Sequence, residues 1–247
     1  MRRLDTTYST LVWSPDGSRV TKSRPTGGDA RRRFINELRV NRLLTSEKPP
    51  VPTPALLAYD KHEQSLTFAA FPGSPLGPKY PHDLAVTEID AILALAHALE
   101  PYNPHRRWLR RFNPERRLAM AGAAGLLEDN HASALVELTR QRHRKLRFAH
   151  GDVTARNVLA HENEPTLIDW EWAGLYPPGY DAAFLWFSLG EVDGGRAHIE
   201  RSSQTDETSF MLCALLIELW HLQWYIPPDF QKPHLATRDE LLDRLRV

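Results

Sequence analysis

The chain has 247 residues, 42% of them hydrophobic and 25% charged, the balance of a soluble globular protein with a core of one large domain or two lobes. Its 31 basic residues equal its 31 acidic ones, which argues against a dedicated nucleic-acid or membrane-surface binder, since phosphate contacts demand a basic excess. The single cysteine, Cys213, excludes an intrachain disulfide and predicts a reducing compartment, the cytoplasm.

The opening MRRLDTTYST lacks the apolar core of a signal peptide. TLVWS (10–14) and SRVTKS (18–23) flank Pro15-Asp16-Gly17 and predict a hairpin. RRRFINELRVNRLL (31–44) spaces Phe34, Ile35, Leu38, Leu43 and Leu44 as a helix. KPPVPTPALL (48–57) approaches a strand and SLTFAAF (65–71) reads as another. FPGSPLGPKYP (71–81), with four prolines and two glycines, breaks regular structure and reads as a linker. Helices follow at DLAVTEIDAILALAHALE (83–100), from Pro114 with Asn113 as its cap, and at ALVELTRQRHRKL (134–146). HRRWLRRFNPERR (105–117) carries six arginines and one glutamate and reads as a solvated helix face. FMLCALLIELWHLQWYI is interrupted by Glu218 and His221, so it predicts a buried core helix rather than a membrane span.

Between these helices lies HGDVTARNVL (150–159), then the turn HENEP and the run TLIDWEW, which sets Asp169 at the end of a short apolar strand. Any one of Asp152, Asn157 and Asp169 alone reads as a turn or strand cap. Together, in this order behind His150 and Gly151, they match what phosphoryl transfer needs. That reaction asks for a carboxylate to orient the attacking hydroxyl, and for hard oxygen ligands to hold magnesium on the nucleotide phosphates. The D-x-x-x-x-N spacing is the one protein kinases use. Zinc-protease, nucleophile-elbow and P-loop motifs are all missing.

HGDVTARNVL with LIDWEWAG resembles the aminoglycoside phosphotransferase and choline-kinase group, small-molecule kinases with a protein-kinase-like fold. The resemblance implies an α+β, two-lobed protein: a β-rich nucleotide-binding lobe at 1–71, a hinge at 72–76, and a mainly helical catalytic lobe at 77–247. It implies Asp152 as catalytic base, Asn157 and Asp169 as Mg2+ ligands, and His150, Arg156 and Asp181 as supports of the catalytic loop. Lys22 and Glu37 stand where it expects the phosphate-contacting lysine and the helix glutamate that holds it, and Ala70 and Phe71 where backbone meets the nucleotide base. The group's opening glycine- and serine-rich phosphate loop has only glycine-free MRRLDTTYST opposite it, with hydroxyls at Thr6, Thr7, Ser9 and Thr10. A truncated first lobe, or a start further upstream, is the expectation from that departure.

The resemblance further implies ATP or GTP as phosphate donor and a hydroxyl on a small molecule as acceptor. An aminoglycoside- or macrolide-type antibiotic heads the acceptor classes, with choline, a sugar or an amino alcohol behind it. Carboxylates for a polycation are available at Glu171, Glu191, Asp193, Glu200, Asp206, Glu207 and Glu218. Aromatic residues for a quaternary amine are available at Trp170, Trp172, Trp186, Trp220, Trp224 and Tyr225, though most of the tryptophans read as core. Of these, Glu171 and Trp172 are the candidate substrate contacts. Two other readings stay open: a nucleotide-cleft binding module without turnover, and a kinase of Ser or Thr in a peptide.

Overall fold

The computed structural model describes residues 3–6, 9–25, 27–102, 104, 107–143, 145–162 and 164–247. Thr7, Asn163 of the HENEP turn, and His105 and Arg106 of the arginine-rich stretch lie outside the described residues.

The first part is an antiparallel sheet with one long helix against it. Strands β1 (Arg3–Asp5), β2 (Thr10–Trp13) and β3 (Arg19–Ser23) lead into helix α1 (Gly28–Glu47), and β4 (Leu56–Asp60) and β5 (Ser65–Ala69) complete a sheet of order β1-β2-β3-β5-β4. The predicted hairpin forms with Thr10 opposite Ser23 and Trp13 opposite Val20; Gly17 takes φ 71° in its turn. Side chains alternate across a strand, and directly paired residues share a face. Lys22 pairs with Leu66, and Leu66 packs on Phe34 and Leu38 of α1, so Lys22 is turned toward the helix rather than to water.

Within the glycine-free opening, Arg3–Asp5 form a strand and Thr6 and Ser9 bond to each other. Thr6 Oγ1 donates to the Ser9 carbonyl at 2.8 Å and accepts the Ser9 N–H at 3.0 Å, while Thr10 Oγ1 donates to Asp5 at 2.7 Å. The hydroxyls of Thr6 and Thr10, two of those expected for phosphate contacts, therefore already have partners within this opening.

The linker is more ordered than its prolines suggest. Ser74–Pro75 form a short strand, β6, paired with residues 159 and 160. A Cβ on Gly73 would stand 2.6 Å from the Ala160 carbonyl, so only glycine permits that approach. Beyond it come α2 (Val86–Leu99), α3 (Pro114–Ala123), α4 (Asp129–Arg142) and β7 (Arg147–Ala149). The hairpin β8 (Val158–His161) and β9 (Glu164–Leu167) follows, then β10 (Gly174–Tyr176) and helices α5 (Tyr180–Ser188), α6 (Gly195–Ser202), α7 (Glu207–Trp224) and α8 (Gln231–Leu245). Asn113 caps α3 as expected, accepting the Arg116 N–H at 2.9 Å. In the arginine-rich stretch Arg107, Arg110, Arg111 and Arg116 are exposed as expected and residues 114–117 open α3, but the described part before Asn113 is not helical. Residues 107–113 run irregularly because Leu109 and Phe112 are buried, and Phe112 donates its N–H to the Leu175 carbonyl at 2.8 Å.

Helix α7 is buried around nearly its whole circumference, as the run MLCALLIELW implies. None of the helices described is long and apolar enough to cross a membrane. The main core joins α2, α5 and α7 to the hairpin, and it also takes in Val40, Leu43 and Leu44 from the far half of α1. The sheet keeps only a small core of its own: Phe34, Leu38 and Leu66. The chain changes character near residue 71, but the packing runs across that point.

Candidate active site

The site is built where the first sheet, α1 and the β8–β9 hairpin meet. Asp181, in the first turn of α5, is buried and accepts two backbone N–H groups, from His150 at 2.7 Å and from Gly151 at 2.8 Å. Burial pushes its carboxyl up, and the nearby His150 and these two bonds work against that. Gly151 adopts φ 82°, and a Cβ there would fall 2.7 Å from the Trp172 carbonyl oxygen and the Tyr176 hydroxyl. The His150 ring lies edge-on to Trp170, with centroids 4.8 Å apart. Its Nε2 meets the Ile168 carbonyl at 2.9 Å while Nδ1 accepts the Asp152 N–H at 3.3 Å. The loop bearing Asp152 is thus held from three sides by partners far along the chain.

Asn157 ends a short 3-10 turn and directly precedes β8. Its Nδ2 donates to the Asp152 carbonyl at 2.9 Å and to Asp152 Oδ2 at 3.0 Å. Asp169 follows β9 across the hairpin, in a left-handed conformation (φ 66°) that a short polar side chain tolerates. The Ile168 N–H donates to the Asn157 carbonyl at 2.9 Å, so the two positions sit at adjoining strand ends.

Lys22 reaches both Glu37 Oε1, at 2.8 Å, and Asp169 Oδ1, at 2.7 Å. Burial opposes its charge, but Asp169 and Glu37 outweigh burial and raise its pKa. Asp169 responds in reverse: burial pushes its carboxyl up, yet Lys22 and then Arg24 hold it down at about 2.

Two residues of this constellation escaped the sequence reading. Arg24 is buried, donates to Glu37 Oε2 at 2.8 Å and pairs with Glu171. The alternation of side chains was the available signal, since Arg24 stands two residues beyond Lys22 and projects to the same side. Lys79 sets its Nζ 2.8 Å from Asp152 Oδ1; it belongs to an irregular proline-rich segment, which carries no periodicity to read.

The remaining expected residues fall as follows. Ala70 donates its N–H to the Ser18 carbonyl at 2.9 Å, so the backbone group it can offer a base is its carbonyl. The Phe71 ring meets His161 edge-on at 6.2 Å. Arg156 is exposed, and its positive charge acts on Lys79. Glu171 and Trp172, the candidate substrate contacts, both sit among arginines. Glu171 is buried against Arg24 and lies 3.9 Å from Arg33, and the Trp172 ring has the guanidinium groups of Arg33 at 5.4 Å and Arg110 at 4.7 Å from its centroid. Both are drawn to α1 because Asn36 Nδ2 donates to the carbonyls of Glu171 (2.9 Å) and Ala173 (3.0 Å).

Four of the other six carboxylates available for a polycation already have partners within the chain. Glu200 and Glu207 pair with Arg244 at 3.0 and 3.1 Å. Asp206 caps α7 through the Ser209 N–H, and buried Glu218 meets His234 Nδ1 at 2.6 Å. Glu191 and Asp193 are exposed. Of the tryptophans, Trp170 and Trp186 are core, whereas Trp224 is exposed.

The side chains around Asp152 fit a divalent cation of hard-oxygen preference. Asn157 spends its amide nitrogen on Asp152, which turns its carbonyl oxygen the other way. Asp169 spends Oδ1 on Lys22, and its Oδ2 has no hydrogen-bond partner among the described residues. Glu37, Asp169 and Glu171 also bring ligand atoms within 4.8 Å of one another. Lys22 and Arg24 are interleaved with that trio, which makes it an ion-pair network rather than a metal cage.

Several solved structures share the fold. The choline kinase LicA from Streptococcus pneumoniae aligns with TM-score 0.70 and 14% identity, over 98% of this chain and 93% of that one. An aminoglycoside phosphotransferase, APH(2'')-Ib with ADP bound, gives 0.66 and 16%, over 97% and 93%. A choline/ethanolamine kinase family protein from Mesorhizobium loti gives 0.66 and 15%, over 99% and 86%. No curated protein matches the chain significantly. The architecture is thus the α+β, kinase-like fold of the aminoglycoside and choline kinases, with a β-rich first part and a helical second part. A model of the phosphotransferase enzyme family matches residues 5–210, and the chain belongs to that family.

Proposed function

We propose that this protein transfers the γ-phosphate of ATP or GTP to a hydroxyl group of a small molecule. The observation that carries the reading is the convergence on Lys22. A strand lysine, the α1 glutamate Glu37 and the post-hairpin Asp169 meet within 2.8 Å, although they come from three distant segments. In the reaction, Lys22 contacts the nucleotide phosphates and Glu37 keeps it aimed. Asp152, steadied by Asn157 and by the Asp181-braced loop, accepts the proton of the attacking hydroxyl. Asn157 and Asp169 would hold Mg2+, which neutralises phosphate charge when bound. Ala70 and Phe71 face the base through their backbone.

Among acceptors, a polycationic aminoglycoside finds most of the expected carboxylates already paired with Arg24, Arg244 or His234. This turns the proposal toward acceptors of lower positive charge, with sugars among the classes left open by the sequence. The test is transfer from γ-labelled ATP or GTP to a panel of hydroxylated compounds, comparing wild type with Asp152→Asn. A general base contributes roughly 10²–10⁴-fold, so the variant should bind nucleotide normally while losing at least a hundredfold in turnover. Undiminished transfer by the variant would remove Asp152 from the assigned role.

A further inference from the structure

Asp152, the carboxylate that an acceptor hydroxyl must reach on the reading above, already carries a cation of the protein's own. Lys79 Nζ lies 2.8 Å from Asp152 Oδ1, and 5.3 Å from the centroid of the Phe184 ring and 5.9 Å from that of Tyr80. Burial disfavours its ammonium charge, but Asp152 more than restores it, so the pKa is raised and Lys79 stays protonated at neutral pH. A carboxylate beside aromatic faces is the arrangement that recognises ammonium groups of ligands. Here Lys79 already engages it. The neighbouring side chains add aromatic surface rather than negative charge. Tyr80 packs edge-on to Phe187 (6.0 Å), Phe187 lies on His221 (4.2 Å) and His221 on Tyr225 (5.5 Å). Tyr80 is 45% and Tyr225 47% exposed, so this surface is open to a ligand. Glu218, the carboxylate among these rings, is fully buried and held by His234. Arg156, exposed near Lys79, contributes a second positive charge.

We propose that Lys79 is a specificity-determining residue that bars ammonium groups from the acceptor side of Asp152, so the phosphorylated hydroxyl belongs to a molecule whose reacting end is neutral or anionic. The proposal rests on the phosphotransferase reading above and narrows its acceptor class. In the transfer, the acceptor oxygen bonds to the γ-phosphorus as the bond to the β-phosphate oxygen breaks, and the hydroxyl proton passes to Asp152. Each carboxylate oxygen has a second lone pair beyond those engaged by Lys79 and Asn157, so proton acceptance remains open with Lys79 in place. A cationic acceptor would bring its charge against Lys79 within the same small volume, and juxtaposed like charges are a strong means of exclusion.

The test uses two probes of equal shape, choline and its uncharged isostere 3,3-dimethylbutan-1-ol. Their binding is followed by NMR without nucleotide, to wild type, Lys79→Met and Lys79→Gln, each first checked for an unchanged melting transition. Wild type should bind the neutral probe at least as tightly as choline. Both variants should gain about tenfold or more in choline affinity, a change of ~1.4 kcal/mol, with the neutral probe little altered. Lys79→Gln, which keeps a polar group but loses the charge, separates electrostatics from volume. Tighter binding of choline than of its isostere by wild type would overturn the proposal. So would variants whose choline affinity does not rise, including variants that bind neither probe. Because no nucleotide is present, these outcomes are independent of whether the protein transfers phosphate, which γ-labelled nucleotide reports separately.

Discussion

Replacing Glu37 by Gln tests the ion-pair network that places Lys22. Glu37 is almost wholly inaccessible, and its two oxygens each meet a cation at 2.8 Å, Lys22 on one side and Arg24 on the other. At an effective dielectric of 20, each such contact is worth roughly 6 kcal/mol before desolvation is counted. Much of that gross attraction offsets the cost of burying the charges, so the sum of the contacts overstates the effect. Removing one partner from a buried network typically costs about 3–5 kcal/mol, because the remaining charge stays buried and unmatched. Here Lys22 keeps Asp169 and Arg24 keeps Glu171, which places the expectation near the lower end, about 3 kcal/mol. For a chain of this size that is a fall in Tm of roughly 6–12 °C. Urea unfolding followed by tryptophan fluorescence measures it, with Glu63→Gln on an exposed turn as a control expected within about 0.5 kcal/mol of wild type. A loss below about 1 kcal/mol for Glu37→Gln would refute the reasoning, since the network would then not depend on its central carboxylate.

Two further predictions concern the helical part. Asp181→Asn leaves one acceptor oxygen for two N–H groups and turns an amide nitrogen toward one of them. It should cost roughly 2–4 kcal/mol and lower turnover through the displaced loop; an unchanged melting curve would contradict the bracing role. His221 and His143 are both held neutral by burial, with pKa values pushed down to about 3 and about 4. Below pH 6.5 the unfolded chain takes up protons that the folded chain refuses, so stability is intact above that pH and falls as pH drops toward those values. His221 alone should contribute a loss of roughly 2–3 kcal/mol between pH 6.5 and 4.5. His221→Asn should flatten that limb, and a wild-type Tm that stays level from pH 7 to 5 would contradict the assignment.

Much of this arrangement was legible because it obeys local rules. Asp16-Gly17 announced its hairpin, Asn113-Pro114 its helix start, and the order of Asp152, Asn157 and Asp169 the hairpin between strands β8 and β9. Lys22 and Glu37 were found through the resemblance, and the strand register then explains why they meet. What stayed hidden depends on contacts between segments far apart in sequence. Nothing local announces that Lys79, in a stretch broken by prolines, reaches Asp152 seventy-three positions later. Nor does composition reveal that Glu171, Glu200 and Glu218 are engaged by Arg24, Arg244 and His234. The arginine-rich stretch misled for a related reason. Its charges suggested a solvated helix, and Arg107, Arg110, Arg111 and Arg116 are exposed, but burial of Leu109 and Phe112 and the approach of Arg110 to Trp172 keep residues 107–113 irregular ahead of α3.

The most direct test of the central claim is magnesium-dependent nucleotide binding at Asp169. Melting curves with ATP or GTP, with and without Mg2+, are compared for wild type and Asp169→Ala, each against its own nucleotide-free baseline. At a hundred times its dissociation constant a ligand adds about 2.7 kcal/mol, roughly 5–11 °C for a chain of this size. The account predicts that shift for wild type with Mg2+, and its loss in Asp169→Ala. Absence of any shift, or one equally large without Mg2+ or in the variant, would contradict it.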